Sequence, residues 1–135
     1  MDLNLVRSGL ATSLESIPDL RVFDYMPEHA VPPCAVVGFP ESIEFDLAFS
    51  RGLDSFPTVQ IYVFVGRAEE RSAQRALSEY CAGSGTYSIK AAVETDLTAS
   101  GAAETLRVER CHSFRTYPVG AVEMLGCIFD VRIYG

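Results

Sequence analysis

Histidine, clustered cysteine and basic runs are what this sequence has least of. It holds two histidines, His29 and His112, and four cysteines, Cys34, Cys81, Cys111 and Cys127, none in a CxxC, HxH or HExxH spacing. Zinc needs three or four convergent ligands of these types, so a site would have to be assembled wholly by the fold. Far apart and set in apolar segments, the cysteines read as buried thiols and not as a disulfide framework. Cys111-His112 is the one adjacent pair, but neighbours on a strand point to opposite faces, whereas a thiol–imidazole couple must touch. No serine stands in a GxSxG elbow. Gly83-Ser84-Gly85 follows a helical run and lacks the GxGxxG or GxxxxGK order that presents amides to phosphate, so it reads as a C-cap and turn. The expectation is a protein that is not an enzyme and holds no cofactor or metal.

Long apolar runs are missing too. Nothing approaches the roughly 18 residues that span a bilayer, and MDLNLVRSGL has neither the basic leader nor the apolar core of a signal peptide. A membrane is therefore not an expected partner, and the chain is expected to stay where it is made. Positive charge is scarce: 11 basic against 18 acidic residues give a net charge of -7. With no basic cluster, the field opposes phosphate backbones, so sequence-specific nucleic-acid recognition is not expected. What is present is apolar and aromatic material, 48% hydrophobic with 8 Phe and 6 Tyr, enough for one core. The chain shows no repeat, low-complexity tail or long linker, and 1–135 reads as a single domain.

Leu3, Val6, Leu10, Leu14 and Ile17 recur at steps of three and four, the period of an amphipathic helix, with Asp2 as N-cap and Pro18 as stop. Gly9 costs such a helix about 1 kcal/mol relative to alanine, which packing must offset. Short strands are expected over 20–25 and 34–39, the second apolar enough to be covered on both faces and closed by Pro40. Ile43, Phe45, Leu47 and Phe49 alternate as an exposed strand would, leading into a loop over 50–57. The run 58–65 is the expected central strand. Over 69–81 the period becomes 3.6, with Ala73, Ala76, Leu77, Tyr80 and Cys81 on the packing face and Glu69 and Glu70 in the first turn. Ser88 caps a short helix ending near Glu94. Leu106 and Val108 mark a half-buried strand that slips near Cys111 to Phe114, as at a bulge. Leu125, Cys127, Phe129, Val131 and Ile133 form the apolar set of a last strand, joined to it near Tyr117-Pro118-Val119-Gly120. The sum is an α+β fold: a mixed or mainly antiparallel sheet with a long C-terminal hairpin, and helices packed mainly on one face.

Glu41, Glu44, Asp46 and Asp54 read as solvated strand-edge acids, and Arg51, Arg67 and Arg71 as candidates for pairing across an interface. Above background stand the aromatics of expected surface segments: Phe39, Phe45, Phe49, Phe56, Tyr62 and Tyr117. One small core need not absorb them all, and aromatic anchors are enriched at interfaces. An exposed strand around 43–49 would also offer unpaired backbone groups to another subunit. Homo-oligomerisation is the resulting expectation.

The order of RVFDYMPEHAVPPCAVVG, VGRAEERSAQRALSEYCAGSG, SIKAAVE and the ending VGAVEMLGCIFDVRIYG resembles the small tail terminator (tail completion) proteins of long-tailed phages that infect actinobacteria, over nearly all 135 residues. The resemblance implies a structural virion protein that forms a ring, usually a hexamer, on the head-proximal end of the tail tube. Its implied partners are copies of itself, the tail tube protein and a head completion or neck protein, with DNA passing through the ring lumen. The implied location is the host cytoplasm during assembly and then the virion tail. A ring ends growth because heterologous contacts close only when their rotation fits. Phe45, Phe49, Arg51, Phe56, Arg67, Arg71, Arg115 and Tyr117 are the candidate interface residues. Another phage neck or tail-adaptor ring subunit, a small ligand-binding module and an enzyme are the competing readings.

Overall fold

A computed structural model of the chain describes residues 1–46 and 53–135. Its elements are α1 (Leu3–Leu14), β1 (Arg21–Phe23), β2 (Cys34–Pro40), β3 (Ser55–Gly66), α2 (Arg71–Tyr80), α3 (Ile89–Glu94), β4 (Thr105–Val119) and β5 (Val122–Tyr134). The strands form one mixed sheet in the order β1-β2-β3-β5-β4, parallel between β1 and β2 and antiparallel elsewhere. This is the expected α+β architecture.

Among the described residues, the three helices lie on one face. Val6, Leu10 and Leu14 of α1, Ala73, Leu77 and Tyr80 of α2, and Ile89, Ala92 and Val93 of α3 share a core with the odd-numbered side chains of β3 and β5, from Val59 to Val65 and Cys127 to Ile133. Alternation along a strand sends the even-numbered residues to the other face, which carries no helix among the described residues. There Cys34, Val36, Phe64 and Met124 form a smaller cluster, joined by Phe23, Ala30, Tyr62, Tyr117 and Val119.

Asp2 caps α1 as expected, its carboxylate accepting from the Leu5 amide. The helix stops at Leu14, four residues before Pro18, because the amides of Ser16 and Ile17 bond back to Ser13 and Leu14 in a tight turn. Ile17 is nonetheless buried. Glu69 and Glu70 precede α2 and do not lie in its first turn. Ser88 caps α3: its hydroxyl donates to the Ala82 carbonyl at 2.6 Å and accepts from the Ala91 amide at 3.1 Å, at 1% exposure. Ser88→Ala removes both bonds in a dry setting and is expected to cost about 1–2 kcal/mol in urea unfolding. Ser88→Thr, which keeps the hydroxyl, should recover most of that loss.

The largest differences from expectation involve β3 and the hairpin. β3 begins at Ser55, so Ser55, Phe56 and Pro57 belong to a strand and not to the expected loop. Pro57 is tolerated because the pairing with β5 slips between Phe56 and Val59, where one amide is dispensable. Of the expected strand at 43–49, the described part contributes one bridge, Glu44 to Ser55; Leu47 and Phe49 lie outside the described residues. The hairpin turns at Gly120-Ala121, at the end of the expected Tyr117–Gly120 stretch. Val119 pairs with Val122, and Gly120 takes φ 63° at the first position of a two-residue loop, which favours glycine. Pro118 sits in β4, tolerated because β4 is an edge strand. The expected slip near Cys111 to Phe114 is a register shift between His112 and Arg115, with Ser113 at φ 59°.

Candidate functional site

The helix-free face of the sheet and its β4 edge carry most of the chemistry that the core leaves unused. Near the middle of that face, Asp130 of β5 is only 3% exposed. A charge so placed needs partners, and β4 supplies both: Arg110 Nε donates to Asp130 Oδ2 at 2.6 Å, and His112 Nε2 lies 3.0 Å from Asp130 Oδ1. The carboxylate holds the Arg110 guanidinium above its ordinary pKa, chiefly through this hydrogen bond. The other imidazole nitrogen, Nδ1, is 2.7 Å from Ser113 Oγ. Serine, imidazole and carboxylate are thus connected in a line, but with the ring nitrogens exchanged relative to a hydrolytic triad, in which the serine meets Nε2 and the carboxylate Nδ1. Acyl transfer also needs donors aimed at a developing oxyanion. What the chain presents here is a carboxylate paired with a guanidinium and hydrogen-bonded to an imidazole, beside the bulge at Ser113, whose carbonyl accepts from the Tyr117 hydroxyl at 2.6 Å. Sequence reading missed this cluster because its members come from two strands.

The candidate interface residues separate into groups at opposite ends of β3. At twelve residues, β3 is about 40 Å long. Near its Gly66 end stand Arg67, Arg71, Arg115 and Tyr117. Arg67 is exposed and pairs with Glu69 at 3.1 Å, and Arg71 opens α2 on the surface. Arg115 lies 4.9 Å over the Tyr117 ring, which packs edge-on against Phe64. Tyr117 is therefore half buried within its own protomer. Near the Ser55 end stands Phe45, 70% exposed.

Phe49 and Arg51 lie outside the described residues. Phe56 corrects the expectation: at 1% exposure it is part of the main core, opposite Ile133 of β5, because the strand that carries it starts earlier than its proline suggested. It cannot serve as a contact residue of the folded protomer. Tyr62, likewise read as a surface-loop aromatic, belongs to β3 and is half buried, its hydroxyl donating to Gln60 at 2.9 Å. Phe39 is exposed as expected, with the Arg7 guanidinium 4.1 Å from its ring centre while Arg7 also donates to the Val37 carbonyl.

Sequence reading also missed Phe114, an aromatic 55% exposed on the bulged part of β4. β4 pairs with β5 alone, so its outer edge has no strand partner among the described residues. Exposed Arg107 and Arg115 lie along it. The opposite side of the sheet, around β1, exposes Asp19, Asp24 and Glu28 beside Arg21. An open groove of about 530 Å³ runs along the start of β4, lined by Thr105, Leu106, Arg107, Glu109, Arg132 and Tyr134 among others. Within it Arg132 Nε donates to Glu109 at 2.7 Å.

The four cysteines are free thiols, Cys34 and Cys127 buried and Cys81 and Cys111 half buried. Burial pushes the Cys34 thiol up to about 11. Cys81, at the end of α2, behaves oppositely: its Sγ is 3.7 Å from Cys127 Sγ, and hydrogen bonding from that thiol, added to by Cys111, outweighs desolvation and holds it down to about 7. Among the described residues, no group of three or more His, Cys, Asp or Glu is arranged to hold a metal ion. Among the described residues, no helix is long and apolar enough to cross a membrane. No protein family model matches the chain, and no curated protein matches it.

Proposed function

We propose that the protein is a ring-forming structural subunit of a phage tail, acting at the head-proximal end of the tail tube to stop its growth and receive the head connector. The observation that carries the assembly part of this reading is the 15-residue β4, whose outer edge has no strand partner among the described residues and whose bulge presents Phe114. Unpaired strand edges and exposed aromatics both favour contact with another chain. Charge supports a head-to-tail arrangement: on the β4 side the exposed Arg107, Arg110 and Arg115 outnumber Glu104 and Glu109, and beside β1 Asp19, Asp24 and Glu28 outnumber Arg21, so one edge complements the other in the next copy. Such a heterologous contact gives a ring when its rotation closes. The separation of Phe45 from Arg67, Arg71 and Arg115 along β3 would give a ring two chemically different rims, one for the tube and one for the neck. The phage setting rests on the sequence resemblance.

Solution mass measurement with negative-stain imaging, alone and with purified tail tubes, tests the reading. Rings of about sixfold symmetry, or caps on one end of each tube, are expected. A monomer that ignores tubes would overturn it. Removing the protein during assembly distinguishes its level in the neck: overlong tubes mean termination, whereas tails of normal length that fail to join heads mean an adaptor. Phe114→Ser should weaken ring closure about tenfold, since an exposed aromatic anchor contributes on the order of 1–2 kcal/mol per contact, and leave protomer unfolding unchanged.

A further inference from the structure

The cysteine cluster packs in and against the main core, but the proposed assembly makes no use of its sulfur chemistry. Three thiols from different elements meet at one place: Cys81 ends α2, Cys111 lies in β4 and Cys127 lies in β5. Cys81 and Cys111 line a pocket of about 180 Å³ that opens to solvent, with Lys90 and Arg110 also on its wall. Cys127 sits behind them, fully buried, with its sulfur 3.7 Å from that of Cys81. A reactive thiol needs solvent access and stabilisation of its thiolate; Cys81 has the first from the open pocket and the second from the neighbouring Cys127 and Cys111 thiols, while Lys90 and Arg110 are paired with Glu94 and Asp130. A resolving thiol must reach the first sulfur without large motion; closing 3.7 Å to the roughly 2.05 Å of a disulfide is a small displacement.

We propose that Cys81 and Cys127 form a dithiol modification site that takes hydroperoxides and closes into an intramolecular disulfide, with Cys81 as the attacking sulfur. The Cys81 thiolate attacks one peroxide oxygen and the O–O bond breaks. Cys81 becomes a sulfenic acid, and hydroxide or alkoxide leaves. The Cys127 sulfur then attacks the Cys81 sulfur, forming the S–S bond as the hydroxyl departs with the Cys127 proton as water. Two electrons pass from the two thiols to the peroxide. The closed bond would tie the end of α2 to the middle of β5, beneath the sheet face that carries the helices. Cys34 lies on the opposite face, in the smaller apolar cluster, and takes no part.

The test uses the full chain, reduced, then treated with hydrogen peroxide and alkylated after denaturation, with peptide mass mapping. The expected product is a Cys81–Cys127 crosslink within one chain, with Cys34 still alkylated. In the untreated folded protein, iodoacetamide should modify Cys81 at least about tenfold faster than Cys111 at neutral pH, because desolvation and the neighbouring Cys81 push the Cys111 thiol up to about 11 and leave it far less thiolate. That rate should rise with pH and be half-maximal near pH 7. Cys127→Ser should leave a Cys81 sulfenic acid that dimedone traps. Equal alkylation of Cys81 and Cys111 across about pH 6 to 9 would overturn the proposal without reliance on any variant. A peroxide product linking Cys81 to Cys111, or only bonds between chains, would overturn the assignment of Cys127.

Discussion

Gly9→Ala is expected to destabilise the protein by roughly 2 kcal/mol in chemical denaturation, although it replaces a poor helix former with the best one. Intrinsic propensity alone favours alanine by about 1 kcal/mol in the interior of a helix such as α1. The opposing term is steric. A methyl at residue 9 would overlap the backbone carbonyl of Ala99, which lies against the helix and is itself fully buried. Backbone yields less readily than a side chain, and this stretch is held from within. The Asp96 carboxylate accepts from the Thr98 hydroxyl and amide and from the Ser100 amide, bonds that also keep its pKa below the ordinary carboxylate value. Ala99 and Ser100 both stand at positive φ, so the loop has little room to adjust. Ser8→Ala, on the exposed side of the same turn, should lie within about 0.5 kcal/mol of the parent. A stabilised Gly9→Ala variant would mean that α1 and the 96–101 loop stand further apart than described.

Phe56→Ala is expected to cost about 3–5 kcal/mol of protomer stability, the range for removing a buried phenylalanine ring. Against a total of about 5–15 kcal/mol for a domain of ordinary stability, that is a large fraction, and the variant should melt well below the parent. The cause is position: Phe56 shares the main core with all three helices and pairs across to Ile133, so truncation opens a cavity where β3 begins. Phe45→Ala offers the contrast. Its ring is mostly in solvent, so thermal unfolding should barely move, while ring assembly should weaken. Equal losses of assembly and stability for Phe45→Ala would place that ring in the protomer's interior. An unchanged melting curve for Phe56→Ala would contradict its burial.

These two aromatics illustrate how far the sequence could be read. Period and composition were sufficient for the helices, for the central strand and for the alternating last strand, because each buries one continuous stripe that recurs along the chain. They failed for Phe56 because Pro57 follows it; proline signals a loop unless a slipped register removes the need for its amide, and register is a relation between two strands. The same limit hid the Asp130 cluster, whose members are joined across β4 and β5, and the sulfur contact between Cys81 and Cys127, which are 46 residues apart. Gly9 shows the reverse case, in which a local cost was legible and its reason, a loop nearly a hundred residues away, was not. Arg67, Arg71, Arg115 and Phe45 are exposed, as a reading of polar positions and of the alternation through Phe45 implied; their division between two ends of a strand required the fold.

The interruptions along β4 have a consequence for what the protein avoids. A flat, regular margin of fifteen residues would let molecules add to one another indefinitely, as in amyloid. Here the ladder slips twice, between Val108 and Arg110 and between His112 and Arg115, and Pro118 withholds an amide further on. Kinks of this kind leave only short stretches able to zip with a stranger. The margin can therefore be tacky enough for a matched companion yet too crooked to seed fibrils while the cell accumulates the protein.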